Sequence, residues 1–198
     1  MTKIAVNYHQ NLQTKDLPAQ HDNEETINEV LSNLRTKTDD KDKAKLTTTL
    51  DYDEVSEALM SMPNRKASSL NGIPTKLWKN LAIKYQKASA SGGKPEDLPP
   101  DIIDLLLSVY NDIEKYGVDP ESNFAKGWMC PIYKKKDKTN IANYCPITVL
   151  NTDYKTFTKA LTIKLAPTAL KIIHPDQAGF LKGCRIDDHT ELIKLMIQ

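Results

Sequence analysis

Two short apolar runs flank a lysine-rich turn in the second half of the chain. The first run extends from Trp128 to Tyr133 and the second begins near Tyr144, with charged and polar residues between them. Apolar and aromatic residues on either side of a polar turn are typical of paired β-strands. The sequence therefore predicts a short antiparallel β-hairpin over residues 128–147, and the rest of the fold must accommodate it.

Positive charge is concentrated around this turn. Residues 124–164 contain eight lysines, no arginine and two aspartates, a local balance of +6 in a chain whose net charge is +1. Such a local patch favours a phosphate-bearing partner. The candidate phosphate contacts are Lys135 and Lys136 in the turn, with Lys155 and Lys159 one turn apart on a predicted helix. A solvated surface is the alternative for both pairs.

Helical spacing of apolar residues covers most of the remaining chain, which predicts a helix-rich α+β fold. Asp51 and Glu54 form a capping-box pattern, Pro100 is expected at the first position of a helix, and Pro167 is expected to interrupt another. Asp187 or Asp188 is expected to cap the last helix. A short helical pattern lies at residues 27–34, and further predicted helices cover residues 50–63, 75–88, 100–117, 151–165 and 170–173, with a last one after residue 187. The run Asn151-Thr152-Asp153 is expected to cap the helix over residues 151–165.

The first 45 residues are polar and are interpreted as an N-terminal segment, with residues 36–45 as a solvated linker to the folded part, residues 46–198. No run of eighteen apolar residues occurs, and the first thirty residues lack the apolar core of a signal peptide. These patterns predict an intracellular protein outside the membrane, in either nucleus or cytoplasm. Three cysteines and four histidines at no common ligand spacing favour free thiols and no metal site.

Three separated motifs carry a family resemblance. They are residues 128–137 with their Pro-Ile and lysine run, residues 143–155 beginning Asn-Tyr-Cys-Pro-Ile, and residues 176–184 beginning Asp-Gln-Ala-Gly-Phe. Their order and spacing resemble the fingers region of reverse transcriptases of non-LTR, LINE-type retrotransposons. The resemblance implies an incomplete right-hand polymerase domain over residues 46–198, which contains the fingers and lacks most of the palm.

The resemblance also implies roles for individual residues. Lys134 would meet the triphosphate of the incoming nucleotide, and Cys145 stands where the family has a nucleotide-binding arginine. Gln177, Gly179 and Phe180 would lie along the template, and the implied partners are an RNA template and a DNA primer. The alternative for Phe180 is a place in the hydrophobic core. Magnesium is implied only for the full-length enzyme, whose palm carboxylates hold it. This chain is therefore expected to contain no catalytic residue and no metal site.

The chain departs from the family pattern in two places. A turn usually written K-A-P-G-P-D-G-I-P reads here as residues 66–74 with Ser68, Ser69, Leu70 and Asn71, and is expected to be looser. The second departure is the replacement of two family arginines by Cys145 and Cys184. Each of the six changes can arise from one C-to-T mutation on one DNA strand or the other, so we interpret the chain as a truncated, decayed copy that is inactive alone as a polymerase. The alternative is a non-catalytic nucleic-acid-binding or scaffold protein that uses residues 126–164.

Overall fold

A computed structural model describes residues 2–15, 20–33, 36–92, 94–174, 177, 179, 181, 183 and 185–197. The chain divides into two compact units, residues 1–37 with 127–149 and residues 38–126 with 150–198. Most of the described residues are helical, as the sequence predicted, and the described sheet has two antiparallel strands. Assignment of this arrangement to a reverse-transcriptase fingers region stays a prediction. None of the described helices is long and apolar enough to span a bilayer.

The first unit contains two helices and the hairpin. Helix α1 spans Thr2–Thr14 and α2 spans Gln20–Asn33, while strands β1 and β2 span Gly127–Tyr133 and Tyr144–Leu150. Helix α1 contacts the 3-10 turn Ile141–Asn143 that leads into β2. The predicted hairpin is thus confirmed as a pair of strands. The helical pattern predicted from residue 27 belongs to α2, which begins earlier, at Gln20, whereas α1 was not predicted.

The second unit is a helical core. It contains α3 (Asp40–Thr47), α4 (Tyr52–Ser61), α5 (Thr75–Ala90), α6 (Ile102–Tyr116), α7 (Thr152–Ile172) and α8 (Ile186–Ile197). Helix α4 lies against α5, α6 and α7. Its residues Val55, Ala58 and Leu59 share one face and are completely buried, because their spacing of three and four residues places them on one side of a helix.

The predicted cap of α4 is confirmed, whereas the predicted start of α6 is wrong. Asp51 accepts a hydrogen bond from Glu54 N–H at 2.8 Å, and Glu54 accepts one from Asp51 N–H at 3.2 Å, which confirms the capping box. Pro100, however, does not begin α6. Asp101 is the N-cap, because its carboxylate accepts from the N–H groups of Ile103 and Asp104. A carboxylate that satisfies two free N–H groups sets the boundary more strongly than the fixed φ of proline.

Pro167 does not interrupt α7, contrary to the prediction. The helix continues from Thr152 to Ile172 through this proline. Residues on both sides of it are held by tertiary contacts. Thr168 is 1% exposed, and the ammonium group of Lys171 lies 2.7 Å from Asp42 of α3. These contacts offset the hydrogen bond that proline cannot donate.

The mixed-charge run interpreted as a solvated linker is helical from Asp40 onward. Asp39 caps α3 by accepting from Asp42 N–H at 2.7 Å, and this hydrogen bond is the main reason that the pKa of Asp39 is lowered. Its partner across the unit, Lys171, has a raised pKa chiefly because it donates to Asp42. The charged composition did not predict this helix, because an ion pair with a residue 129 positions away stabilises the segment.

Two boundaries near the ends of elements also differ from the predictions. Helix α5 continues to Ala90, two residues beyond its predicted end, and the segment that follows it includes a 3-10 turn at Pro95–Asp97. Helix α8 begins at Ile186, so the two aspartates that follow lie in its first turn instead of capping it. Asp187 pairs with Arg185 at 2.9 Å.

Candidate nucleic-acid interface

Two tyrosines fix the turn of the hairpin. Lys134 N–H donates to Asn143 O at 3.0 Å and closes the last rung of the ladder. Immediately before and after it, the rings of Tyr133 and Tyr144 meet edge to face with centroids 5.6 Å apart. Each tyrosine hydroxyl then donates to a main-chain carbonyl of the turn, Tyr133 to Lys136 O at 2.7 Å and Tyr144 to Lys138 O at 2.9 Å. The turn is therefore anchored to its own strands.

Asp137 organises the turn from within. Its carboxylate accepts from Thr139 N–H at 2.9 Å and from Thr139 Oγ1 at 2.7 Å, and these bonds lower the pKa of Asp137. Its carbonyl oxygen accepts from Asn143 Nδ2 at 2.8 Å. The preceding residue, Lys136, has a φ of 72°, a left-handed conformation that is uncommon for residues other than glycine. The single acid of the turn is thus used to hold its shape.

The lysines of the turn point their charge into solvent. Lys134, Lys135, Lys136 and Lys138 are all exposed, and together with Asp137 they give residues 134–138 a charge of +3. We call these four lysines the tip lysines. Lys138 Nζ lies 5.4 Å from the centre of the Tyr133 ring. Within the described residues no ion pair neutralises Lys134, Lys135 or Lys136. A braced turn with unneutralised ammonium groups suits several phosphates at once.

The position of Cys145 is fixed by the register of the strands. An uninterrupted ladder from the Lys134–Asn143 bond places Cys145 opposite Ile132. Because alternate residues share a face, Cys145 and Lys134 lie on the same face as diagonal neighbours, about 7–8 Å apart. Cys145 is half-buried and is a free thiol, as is Cys130. This confirms the prediction of free thiols for both, and Cys184 lies outside the described residues.

Each strand of the ribbon contains one proline. The same ladder places Pro131 opposite Pro146, in a pair whose main-chain N–H positions face outward. Proline is tolerated there because no bond between the two strands is lost. The remaining side chains of the ribbon are largely exposed, including Trp128 at 59% and Ile132 at 52%.

The other predicted lysines belong to the second unit. Lys159 of α7 is exposed and borders a groove together with Glu57, Ser61 and Leu181, whereas Lys155 is half-buried. Both are positioned by the regular turn of α7, as their spacing predicted. Whether they contact phosphates stays a prediction.

Lys164 was included in the predicted cationic surface, but its side chain is buried. Only 5% of its side chain is exposed, and its ammonium group donates to Thr48 O at 2.6 Å and Thr49 O at 3.0 Å. It also lies 3.5 Å from the carboxylate of Glu54. The alternative contact surface over residues 126–164 therefore loses its last lysine, because this charge ties α7 to the segment before α4.

The segment assigned to the template is described only in part. Gln177 is exposed, and its Nε2 donates to Gly179 O at 3.4 Å. Gly179 has no positive φ, whereas Gly183 has a φ of 89°, so only the second needs glycine for its conformation. Phe180 lies outside the described residues. Leu181 borders the groove of Lys159 within the second unit.

An anchor that the sequence did not predict joins α7 to two loops. Asn151 is the N-cap residue of α7, as expected, but its side chain makes no cap bond. Instead it is 2% exposed, its Oδ1 accepts from Asn71 N–H at 3.3 Å, and its Nδ2 donates to Asn123 O at 3.1 Å. Thr152 Oγ1 donates to Ile73 O at 3.0 Å. The turn expected to be loose is thus attached to α7 at residues 71–73.

The described carboxylates do not fit a magnesium site. Nowhere in the described part of the chain do three or more histidine, cysteine, aspartate or glutamate side chains lie together as metal ligands would. The exposed Asp187 is paired with Arg185. The described residues therefore supply no ready-made set of oxygen ligands for a hard cation.

One comparison with known proteins bears on the origin of the chain. Over 156 residues it is 28% identical to the "Transposon TX1 uncharacterized 149 kDa protein" of Xenopus laevis. The chain is similar to a transposon protein. The alignment covers 77% of this chain and 10% of that relative, so the chain spans about a tenth of the relative's length. No family model matches the chain. The similarity supports a transposon origin.

Proposed function

We propose that this chain is a fragment of a retrotransposon reverse transcriptase that supplies fingers surfaces for nucleotide and template. By themselves, these 198 residues are proposed to have no polymerase activity, since they resemble the fingers and not the metal-binding palm. The observation that carries the proposal is the braced hairpin turn with its exposed tip lysines. The order of the three motifs and the similarity to a transposon protein support it.

The tip lysines would act by electrostatics alone. Lys134 lies at the base of the turn, where its ammonium group can meet a triphosphate as a flexible point charge with three donors. Lys135, Lys136 and Lys138 extend the positive potential along the turn. Binding of RNA or DNA phosphates there would release counterions, so the affinity would depend strongly on salt.

A non-catalytic nucleic-acid-binding protein is the second candidate, and one observation favours it. At position 145 the structure presents a free thiol, on the same face of the ribbon as Lys134, instead of a guanidinium. A charge-assisted hydrogen bond contributes about 1.5–3 kcal/mol, so its loss weakens nucleotide binding more than it weakens binding of a long nucleic acid.

The two candidates can be separated with the purified chain. We expect its affinity for single-stranded RNA to fall with salt, with a slope of about −2 to −3 in log affinity against log salt for three or four phosphate contacts. We also expect no primer extension with magnesium and all four deoxynucleotides. A measurable affinity for deoxynucleoside triphosphates would favour the fingers fragment. Binding of RNA with no measurable affinity for these nucleotides would favour the second candidate. RNA affinity independent of salt would contradict both.

Restoring arginine at position 145 tests the nucleotide role directly. The variant Cys145→Arg is expected to raise the affinity for a deoxynucleoside triphosphate about tenfold to a hundredfold, because it adds a charge-assisted bond beside Lys134. Isothermal titration calorimetry measures this change.

Cys130→Arg is the matched control, since it adds the same charge to the same face of the ribbon. It lies four residues from Lys134 along β1, about 13 Å away, too far for one phosphate group to contact both. Equal gains from the two variants would mean that added charge alone explains the effect, and the proposed nucleotide site would be wrong.

A further inference from the structure

We propose that Asn71–Gly72 is a site of spontaneous deamidation and that the modification loosens the loop between α4 and α5 from α7. Among the asparagines of the chain, only Asn71 is followed by glycine. Glycine has no Cβ, so its main-chain nitrogen can approach the side chain of the preceding residue more closely than that of any other amino acid. The inference is independent of nucleic-acid binding.

The conformation of the loop activates the side-chain amide of Asn71. This residue is exposed, and its Oδ1 accepts a hydrogen bond from Ile73 N–H at 3.0 Å. A donor at that oxygen stabilises the negative charge that develops there when the amide carbon is attacked. Gly72 has a φ of +68°, and no atom lies within 4 Å of the position where a Cβ would stand. The space beside the reacting bond is therefore open.

One hydrogen bond opposes the reaction. Gly72 N–H donates to Ser69 O at 3.0 Å, so this bond must open before the nitrogen can attack. Conversion is thus coupled to opening of the turn. An anchored loop reacts more slowly than a free peptide, and a loop released from its anchor reacts faster.

The chemical steps need only water. Gly72 N loses its proton to solvent and forms a bond to Cγ of Asn71, after which the bond from Cγ to the amide nitrogen breaks and ammonia leaves with that proton. Water then adds to one of the two carbonyl carbons of the cyclic imide, and the bond from that carbon to nitrogen breaks. The products are aspartate, or isoaspartate in which the main chain runs through the former side chain.

The structure shows what each product changes. Asn71 N–H is attached to Asn151 Oδ1 at 3.3 Å, and Ile73 O is attached to Thr152 Oγ1 at 3.0 Å. The modified bond lies between these two attachments, whose partners are adjacent residues at the start of α7. Aspartate keeps the main-chain length and both attachments. Isoaspartate inserts one extra carbon, so the two attachments can no longer be made together.

Peptide mapping of the unmodified protein, aged in mildly alkaline buffer, tests the site. Asn140 is a matched internal control because it is also exposed and its Oδ1 accepts from Ala142 N–H at 3.0 Å, but it is followed by isoleucine. We expect Asn71 to convert at least about tenfold faster than Asn140, since only Asn71 precedes a residue without Cβ. Equal rates at the two positions would overturn the proposal.

Limited proteolysis tests the effect on the loop. The isoaspartate fraction is separated from the unmodified and aspartate forms, and each is treated briefly with trypsin, which can cleave after Arg65 and Lys66. We expect cleavage there to be severalfold faster in the isoaspartate form and unchanged in Asn71→Asp. The same cleavage rate in all three forms would show that the modification does not loosen the loop.

Discussion

Replacing Lys164 by methionine is expected to lower the free energy of unfolding of the second unit by about 3–5 kcal/mol. The side chain is 5% exposed and its ammonium group is surrounded by the carbonyl oxygens of Thr48 and Thr49 and the carboxylate of Glu54. Methionine fills a similar volume but donates no hydrogen bond, so the two carbonyl oxygens lose their donor and the carboxylate loses its cation.

Urea denaturation followed by circular dichroism measures this loss. Lys159→Met is the matched control, because it makes the same substitution on the same helix at an exposed position, where changes usually stay within about 0.5 kcal/mol. If the two variants unfold at the same urea concentration, Lys164 is not the buried anchor that its contacts indicate.

Reversing the charge of all four tip lysines to glutamate is expected to weaken RNA binding about a hundredfold at physiological salt, because each exposed ammonium–phosphate contact contributes up to about 1 kcal/mol. The salt dependence should fall as well, by about 0.7 in the slope for every phosphate contact that is lost. Fluorescence anisotropy with labelled single-stranded RNA over a series of salt concentrations measures both quantities.

A control variant with the same net charge distinguishes a local RNA-binding site from a general effect of the protein's charge. Lys76, Lys84, Lys87 and Lys94 are exposed lysines of the second unit. Their reversal to glutamate changes the net charge by the same amount and leaves the hairpin untouched. An equal loss of affinity in both variants would show that the RNA responds to total charge, and the tip lysines would have no special role.

The elements that the sequence predicted correctly are stabilised by residues that lie close together along the chain. The capping box of Asp51 and Glu54 spans three residues, and the hairpin closes over a turn of ten. In both cases the groups that stabilise the element lie inside the element or beside it, so residue types and spacing are sufficient to find them.

What the sequence could not predict depends on distant partners. Lys164 meets a carbonyl 116 residues away, and Asn151 meets a main-chain N–H 80 residues away. Both residues have types that are usually exposed, so composition assigned one to a charged surface and the other to a helix cap. Only the packing of α7 against the loops shows that a lysine is neutralised and an amide is shared between two loops.

The paired prolines of the ribbon have a consequence for self-association. A two-stranded ribbon has two open edges, and each edge can template another strand from a second molecule. Pro131 and Pro146 remove one outward donor from each edge at the same level of the ladder. An incoming strand would find a gap in its hydrogen bonds on either side, so the ribbon resists growth into fibrils although many of its apolar side chains are in contact with water.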